Sequence, residues 1–197
     1  KKPFVYLRSN GFEEYKVILG PLGYIIYFLM FSITSKISNL ISCRKHILRG
    51  KDGYVVNPSQ LDIEWKKNLI TPQTIETRLL YVGRIRKEKG VFALIKILEK
   101  KSNIKLTIVG QEKDINTETK NKNIEILKII NDKNNLIKIY DQHNIFILPS
   151  FTEGHPMVLL EALSRLRPVI IFKEIEHVIG NFKGIFVAER NIESLIE

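Results

Sequence analysis

After Pro72 the sequence alternates short apolar runs with amphipathic stretches of helical length. Short continuous apolar runs between polar turns are typical of strands buried on both faces, and such strands occur in parallel sheets covered by helices. The sequence therefore predicts an α/β fold, with a Rossmann-like parallel sheet and helices on both faces. The predicted strands are 79–82, 106–109, 145–148, 169–172 and 185–187, and the predicted helices are 91–100, 124–131, 157–166 and 175–179.

Residues 1–57 show the same alternation less completely and predict the end of another Rossmann-like domain. The strand candidates in this region are 4–7, 40–42 and 54–56. The polar, proline-bounded segment 58–72 is typical of an interdomain linker, so residues 73–197 would form the second domain of a truncated two-domain protein. Because the chain begins at Lys1 and enters a strand almost at once, we expect it to be a fragment.

Between Lys16 and Lys36 the chain carries no charged residue. The length of this stretch just reaches that of a membrane span. Gly20, Pro21 and Gly23 interrupt its first third, which leaves an apolar helix of about a dozen residues. Such a helix favours a position in the core, and contact with a membrane interface is the alternative.

The formal net charge is +10, which raises nucleic acid, an anionic membrane surface and phosphorylated substrates as partners. The lysines alternate with Asn and Ile along the chain instead of forming one patch, so we expect no nucleic-acid binding. Cys43 is the single cysteine, which excludes an internal disulfide and a cysteine-based metal cluster. The histidines are scattered, so we expect no metal site. No secretory signal is visible, and we expect a cytoplasmic protein.

Two glutamates eight positions apart, Glu153 and Glu161, are the best indication of chemistry. Glu153 lies in a turn with Gly154, His155 and Pro156 that follows a predicted strand, whereas Glu161 lies on the next predicted helix. Pro156 suits the first helical position. The N-terminal amides of that helix attract anions, and ionised carboxylates accept hydroxyl hydrogen bonds. The pattern therefore predicts a ligand with phosphates and hydroxyls, such as a nucleotide-sugar. Glu161 is flanked by apolar residues, so we expect a buried or ligand partner for it.

The loop 83–90 follows another predicted strand and contains four cations. Fixed Arg and Lys charges can stabilise a departing diphosphate without a metal ion, and Arg84 and Lys89 are the best candidates. A solvated loop is the alternative for this segment taken alone. Because loops after parallel strands meet at one edge of the sheet, we expect this loop to lie near Glu153. The sequence lacks the glycine-rich dinucleotide motif, the P-loop and the serine hydrolase motif, which removes support for those enzyme classes.

Several motif residues follow one another in a recognisable order, namely 80–84, 89–91, 108–110 and 147–150, with Glu153, Gly154, Pro156 and Glu161. In these residues, segment 78–197 resembles the group 1 retaining glycosyltransferases of the GT-B fold, and residues 1–57 more weakly resemble the second half of that family's acceptor domain. The sequence departs from the family at His155, where a larger apolar residue is common, and at Arg167, where a small residue often precedes the Pro-Val strand. The family's glycine-rich acceptor loop and active-site histidine are absent from the chain.

The resemblance implies a role for each matching residue. Arg84 and Lys89 would hold the donor diphosphate, and the Gly154 and His155 amides would bind its phosphates. Glu153 would contact the transferred sugar, whereas Glu161 would bind the ribose hydroxyls. Gly83 and Pro156 would complete the donor site. Neither a metal nor another cofactor is expected.

We therefore predict transfer of a hexose-type sugar from a nucleoside diphosphate to a glycan or lipid-linked acceptor, with retention of configuration. The family's usual work suggests polysaccharide or lipopolysaccharide assembly, with peripheral contact at the inner face of the membrane. A nucleotide-sugar epimerase on the same fold and a non-catalytic, membrane-associated binding module are the alternatives.

Overall fold

The computed structural model describes residues 1–56, 61–73, 75–99, 103–111, 121–180 and 182–197, without the side chain of Gln111. These residues form two parallel sheets. The smaller sheet has the order β1-β2-β3, and the larger has the order β6-β5-β4-β7-β8-β9. All of their strand pairs are parallel. The predicted α/β class and the Rossmann-like parallel sheet are confirmed.

The elements follow one another in the order that the apolar runs predict, with one exception described below. The strands are β1 Phe4–Leu7, β2 Asn39–Ser42, β3 Gly53–Val55, β4 Thr77–Val82, β5 Ile104–Gln111, β6 Ile124–Lys128, β7 Ile145–Leu148, β8 Val169–Phe172 and β9 Ile185–Ala188. The α-helices are α1 Gly11–Leu19, α2 Pro21–Ile37, α3 Val91–Leu98, α4 Lys133–Gln142, α5 Met157–Ser164 and α6 Ile192–Ile196. Short 3₁₀ segments are Lys45–Leu48, Ile63–Lys66, Lys87–Lys89 and Lys173–Val178.

The order of the larger sheet reverses at the pair β4 and β7. From β4 the chain moves outward to β5 and β6, and it then returns to the other side of β4 to build β7, β8 and β9. Parallel sheets bind ligands in the crevice beyond the carboxyl ends of strands where the order reverses. The loops 83–90 and 149–156 follow β4 and β7 directly, so they flank this crevice.

The helix predicted at 124–131 is wrong. Residues Ile124–Lys128 form an edge strand beside β5, in which Ile124 is buried and Glu125 is exposed. The helix begins only at Lys133, after Asp132, whose side chain accepts a hydrogen bond from the Asn135 amide. The apolar residues of this stretch fit both periodicities, and only pairing with β5 selects the strand.

The prediction that the stretch between Lys16 and Lys36 forms a buried core helix is wrong, because most of the helix surface is exposed. Helix α2 starts at Pro21 and incorporates Gly23, which packs against the backbone of Tyr15. Its buried residues are Gly23 and Phe31. The opposite face is apolar and more than half exposed at Leu22, Ile25, Phe28, Leu29 and Ile33. Among the helices of the described ranges, none combines the length and apolar character that crossing a membrane requires.

Hydrophobic clusters cover both faces of the larger sheet, one with α3 and α6 and the other with α4 and α5. Trp65 belongs to the second cluster, with 4% of its surface exposed and its ring edge-on to Tyr140. Part of the predicted linker is thus packed onto the larger sheet. Residues 58–60 of the predicted linker lie outside the described residues. The domain boundaries at 57 and 73 stay a prediction.

Candidate functional site

The loops 83–90 and 149–156 are in direct contact at the crevice. The Phe151 amide donates to the Glu88 carbonyl oxygen over 2.9 Å. Gly90 has a left-handed backbone, with φ of 68°, and a Cβ atom added there would lie 1.9 Å from the Pro149 carbonyl oxygen. A residue with a side chain would therefore meet both a backbone clash and an unfavourable φ. Glycine at position 90 is what allows the two loops to touch.

This contact brings Lys89 and Glu153 together. The Lys89 ammonium donates to Glu153 Oε1 over 2.7 Å, and the Ser150 hydroxyl donates to the same oxygen over 2.7 Å. The side chains of Lys89 and Glu153 are 20% and 9% exposed. Separating charges from water is unfavourable unless they are paired and hydrogen-bonded, and this network provides both. The sequence predicted the proximity of the two residues, but not the ion pair or the part of Ser150.

Glu153 is also held by a residue of the 3₁₀ segment Lys173–Val178, which follows β8 of the larger sheet. The His177 Nε2–H donates to the Glu153 carbonyl oxygen over 2.9 Å, and the His177 ring lies edge-on to His46, 5.3 Å away between centroids. Burial, the nearby His177 and Arg44 together lower the pKa of His46. His177 is a site residue that sequence reasoning missed, because it lies 24 positions from Glu153 and belongs to no recognisable motif.

Gly154 lies where the loop after β7 meets the chain that follows β1. A Cβ atom at Gly154 would lie 2.2 Å from the Arg8 carbonyl oxygen. The sequence predicted this glycine for a tight turn, whereas the structure shows that it leaves room for the chain after β1. Beside it lies a cleft of about 500 Å³, lined by Asn10, Glu13 and His46 on one side and by Phe151, Thr152 and His177 on the other.

Arg190 holds the loop after β7 through hydrogen bonds to its backbone. Its guanidinium donates to the carbonyl oxygens of Pro149 and Ser150 over 2.8 and 3.2 Å and pairs with Glu174 over 2.7 Å. It also stacks over the ring of Phe151, 4.0 Å from the centroid. Arg190 follows β9, far along the chain, so no sequence signal connected it with this loop.

Glu161 lies on α5 and is 8% exposed. The Tyr140 hydroxyl donates to Glu161 Oε2 over 2.9 Å. Burial raises the pKa of Glu161, and the hydrogen bond from Tyr140 opposes this shift because it stabilises the ionised form. The expectation of a buried partner for Glu161 is confirmed, although the sequence did not indicate which residue it is.

The remaining predicted residues lie around the same crevice. Arg84 has an exposed side chain, and its carbonyl oxygen accepts a hydrogen bond from the Tyr81 hydroxyl over 2.8 Å. The Gly83 amide donates to the Val109 carbonyl oxygen over 2.9 Å. His155 is partly buried.

The prediction that Pro156 is the first helical residue is wrong by one position. Pro156 is the extended residue before α5, with ψ of 105°, and Met157 begins the helix. Proline offers no side-chain acceptor for the first amides of the helix, so a bound anion can supply one.

In the part of the chain that the structure describes, no three His, Cys, Asp or Glu side chains are grouped as metal ligands. Cys43 is buried, and its thiol donates to the Arg8 carbonyl oxygen over 3.3 Å. The groups that this arrangement offers to a ligand are fixed cations, carboxylates and helix amides.

Comparison with known proteins gives concordant results. The family model described as "Glycosyl transferases group 1" matches residues 62–197. The chain is 31% identical over 132 residues to the capsular polysaccharide biosynthesis glycosyltransferase CapM of Staphylococcus aureus, an alignment that covers 59% of this chain and 34% of CapM. The chain thus spans about a third of that relative's length.

Two solved structures share the fold. Sucrose-phosphate synthase from Thermosynechococcus elongatus superposes with a TM-score of 0.73 at 17% identity, covering 98% of this chain and 56% of that one. TarM of S. aureus, in a complex with Fondaparinux, alpha-GlcNAc-glycerol and UDP, superposes with a TM-score of 0.69 at 17% identity, covering 98% of this chain and 42% of that one.

Proposed function

This chain belongs to the group 1 glycosyltransferases, and from that premise we propose that it carries the donor site of an enzyme that transfers a sugar from a nucleoside diphosphate with retention of configuration. The observation that carries the proposal is the Lys89–Glu153 pair, held where the strand order reverses and beside the N-terminus of α5. A cation, a carboxylate and helix amides within one crevice suit a ligand that is anionic at one end and hydroxylated at the other.

The diphosphate is assigned to Arg84, Lys89 and the amides of Gly154 and His155, with Gly83 and Pro156 shaping the backbone around it. An ammonium group has three donors, so Lys89 can keep its bond to Glu153 and still donate to a phosphate oxygen. These fixed charges stabilise the negative charge that develops on the leaving diphosphate. No step in this scheme draws on a metal ion.

The two carboxylates are assigned to the two sugars of the donor. Glu153 orients the transferred sugar, and its position is fixed by Lys89, Ser150 and His177. Glu161 accepts hydrogen bonds from the ribose hydroxyls. Closure of the cleft beside Gly154 excludes water from the sugar.

The acceptor is proposed to be a glycan or a lipid-linked sugar in polysaccharide assembly. The relative CapM is named for capsular polysaccharide biosynthesis, and TarM, which shares the fold, was solved with UDP. The exposed apolar face of α2, together with the net charge of +10, fits peripheral contact with the anionic inner face of a membrane.

The proposal is tested by calorimetric titration of this chain with UDP, GDP and ADP. We expect selective binding of one of them. Removal of hydrogen bonds to a charged group weakens binding by about 10- to 100-fold, so Glu161→Ala should lower the nucleotide affinity by that factor. Glu153→Ala should keep the nucleotide affinity and abolish sugar transfer by the whole protein.

Glu193→Ala is the matched control, because it removes an exposed carboxylate from helix α6, which packs against the larger sheet. It should change neither binding nor transfer. A folded chain that binds none of the three nucleotides would contradict the proposed donor site, and equal affinities for the wild type and Glu161→Ala would contradict the ribose role.

A further inference from the structure

Tyr140 is a fully buried residue whose hydroxyl contacts a residue of the proposed nucleotide site. It lies on α4 and is 0% exposed. Its hydroxyl is 2.9 Å from Glu161 Oε2 and 3.5 Å from the Val158 carbonyl oxygen, which also belongs to α5. A tyrosine hydroxyl has one proton to donate, and the shorter distance directs it to the carboxylate.

The ring of Tyr140 packs against two other aromatic rings. It lies edge-on to Trp65, with centroids 5.6 Å apart, and it packs against Phe146 of β7 at 5.7 Å. Tyr140, Trp65 and Phe146 belong to one buried cluster. Close packing of this kind restricts a ring to one orientation, so the hydroxyl is fixed relative to α5.

We propose that Tyr140 is a positioning residue for nucleotide recognition, which acts by holding the Glu161 carboxylate in the orientation that accepts the ribose hydroxyls. This inference rests on the proposed function, because it requires Glu161 to bind the ribose. It adds a residue on a different helix, 21 positions away, to that role.

The stoichiometry of the hydrogen bonds permits this role. An ionised carboxylate has roughly four lone-pair sites, and the Tyr140 hydroxyl occupies one of them. Two ribose hydroxyls can occupy two more. Because the site is buried, each of these bonds is stronger than it would be in water.

The charge state of Glu161 supports the same role. Burial raises the pKa of Glu161, and the Tyr140 hydroxyl counteracts this shift. Burial and the nearby Glu161 also raise the pKa of Tyr140 well above its usual range, so the phenol keeps its proton and remains the donor. Without the hydroxyl, the carboxylate would lose both a fixed orientation and part of its preference for the ionised form.

The test compares a nucleotide with its analogue that lacks both ribose hydroxyls. UDP and 2′,3′-dideoxy-UDP are titrated by calorimetry into the wild type and Tyr140→Phe, with the corresponding guanosine and adenosine pairs run in parallel. We expect the wild type to prefer UDP, or whichever nucleotide it selects, by about 10- to 100-fold over the dideoxy analogue. Tyr140→Phe should reduce that preference by about tenfold and leave affinity for the analogue unchanged.

Phenylalanine keeps the packed ring, so the variant removes only the hydroxyl. Tyr27→Phe is the control, because Tyr27 is a partly buried tyrosine of α2 that packs against Gly11, outside the proposed nucleotide site. It should leave both affinities unchanged.

The outcomes separate this inference from the function on which it rests. A wild type that prefers UDP and a Tyr140→Phe variant with the same preference would overturn the inference and leave the donor site standing. If Tyr140→Phe weakened the binding of UDP and of its analogue equally, the role of Tyr140 would be merely structural, and the inference would again be overturned. A wild type that binds nucleotides without regard to the ribose hydroxyls would overturn the ribose role of Glu161 itself.

Discussion

Single residues decide whether the two site loops can meet, and Gly90 is the clearest case. A Cβ atom added at Gly90 would lie so close to the Pro149 carbonyl oxygen that any side chain must push the loops apart. Lys89 directly precedes it and bonds Glu153. Displacement at position 90 therefore moves one partner of the central ion pair away from the other.

We expect Gly90→Ala to lower both stability and nucleotide affinity. The left-handed φ alone costs about 1–2 kcal/mol for a residue with a Cβ atom, and the clash with Pro149 adds to it. Urea denaturation would measure the free energy of unfolding, and calorimetry the nucleotide affinity. Gly50→Ala is the control, since Gly50 also has a positive φ, of 75°, with no atom within 4 Å of the added Cβ.

Gly50→Ala should lose only the conformational part of the stability and none of the affinity. If the two alanine variants lost equal stability and both bound nucleotide like the wild type, the contact at Gly90 would have no part in building the site.

At the scale of secondary-structure elements, Arg165 connects α4, α5 and the segment that follows residue 60. Its guanidinium pairs with Asp141 of α4 over 2.9 and 2.7 Å and donates to the carbonyl oxygens of Trp65, Lys67 and Asn68. Arg165 follows the last turn of α5, so one side chain ties α4 and α5 to the segment that follows residue 60. Arg167 adds bonds to the His143 and Ile70 carbonyl oxygens. The unusual arginine at position 167 therefore fixes the same segment.

We expect Arg165→Met to destabilise the protein by about 3–5 kcal/mol, because it leaves the mostly buried Asp141 and several carbonyl oxygens without their partner. Urea denaturation with tryptophan fluorescence would measure this, since Trp65 is the only tryptophan. The control is Arg78→Met, which removes an ion pair to Glu76 whose side chains are 49% and 48% exposed.

Exposed pairs contribute about 0–1 kcal/mol, so the control should be nearly neutral. Similar losses in the two variants would mean that Arg165 does not hold these elements together.

At the scale of the whole molecule, the apolar face of α2 and the net charge act in the same direction. Six apolar residues of α2 are more than half exposed, namely Leu22, Ile25, Phe28, Leu29, Ile33 and Ile37. Exposed apolar surface on a helix and an excess of positive charge together favour an anionic lipid surface.

We expect the protein to float with vesicles of phosphatidylglycerol and phosphatidylcholine and to bind vesicles of phosphatidylcholine alone much more weakly. Added salt should weaken the binding, because it screens the charge. The double variant Ile25→Ser, Leu29→Ser should lose most of the binding.

Phe186→Ser is the matched control, because Phe186 is a 60% exposed apolar residue on β9, in the other sheet. It should bind vesicles like the wild type. Equal binding by the double variant and the wild type would show that α2 is not the contact surface.

The sequence by itself determined the fold class, most strand positions and the region of the candidate site. These features follow from local patterns, namely apolar runs, turn residues and the order of motif residues, which are readable within a few positions of the chain. The same local reasoning placed Lys89 near Glu153, because loops that follow parallel strands share one edge.

Tertiary structure decided what depends on residues far apart. Pairing with β5 made 124–128 a strand. Packing against α1 and the smaller sheet selected which face of α2 is buried. The Tyr140 bond to Glu161 and the Arg190 bonds to Pro149 and Ser150 join different elements. Hydrogen bonds and close packing depend on distances in space, and a local sequence pattern does not contain those distances until the chain has folded.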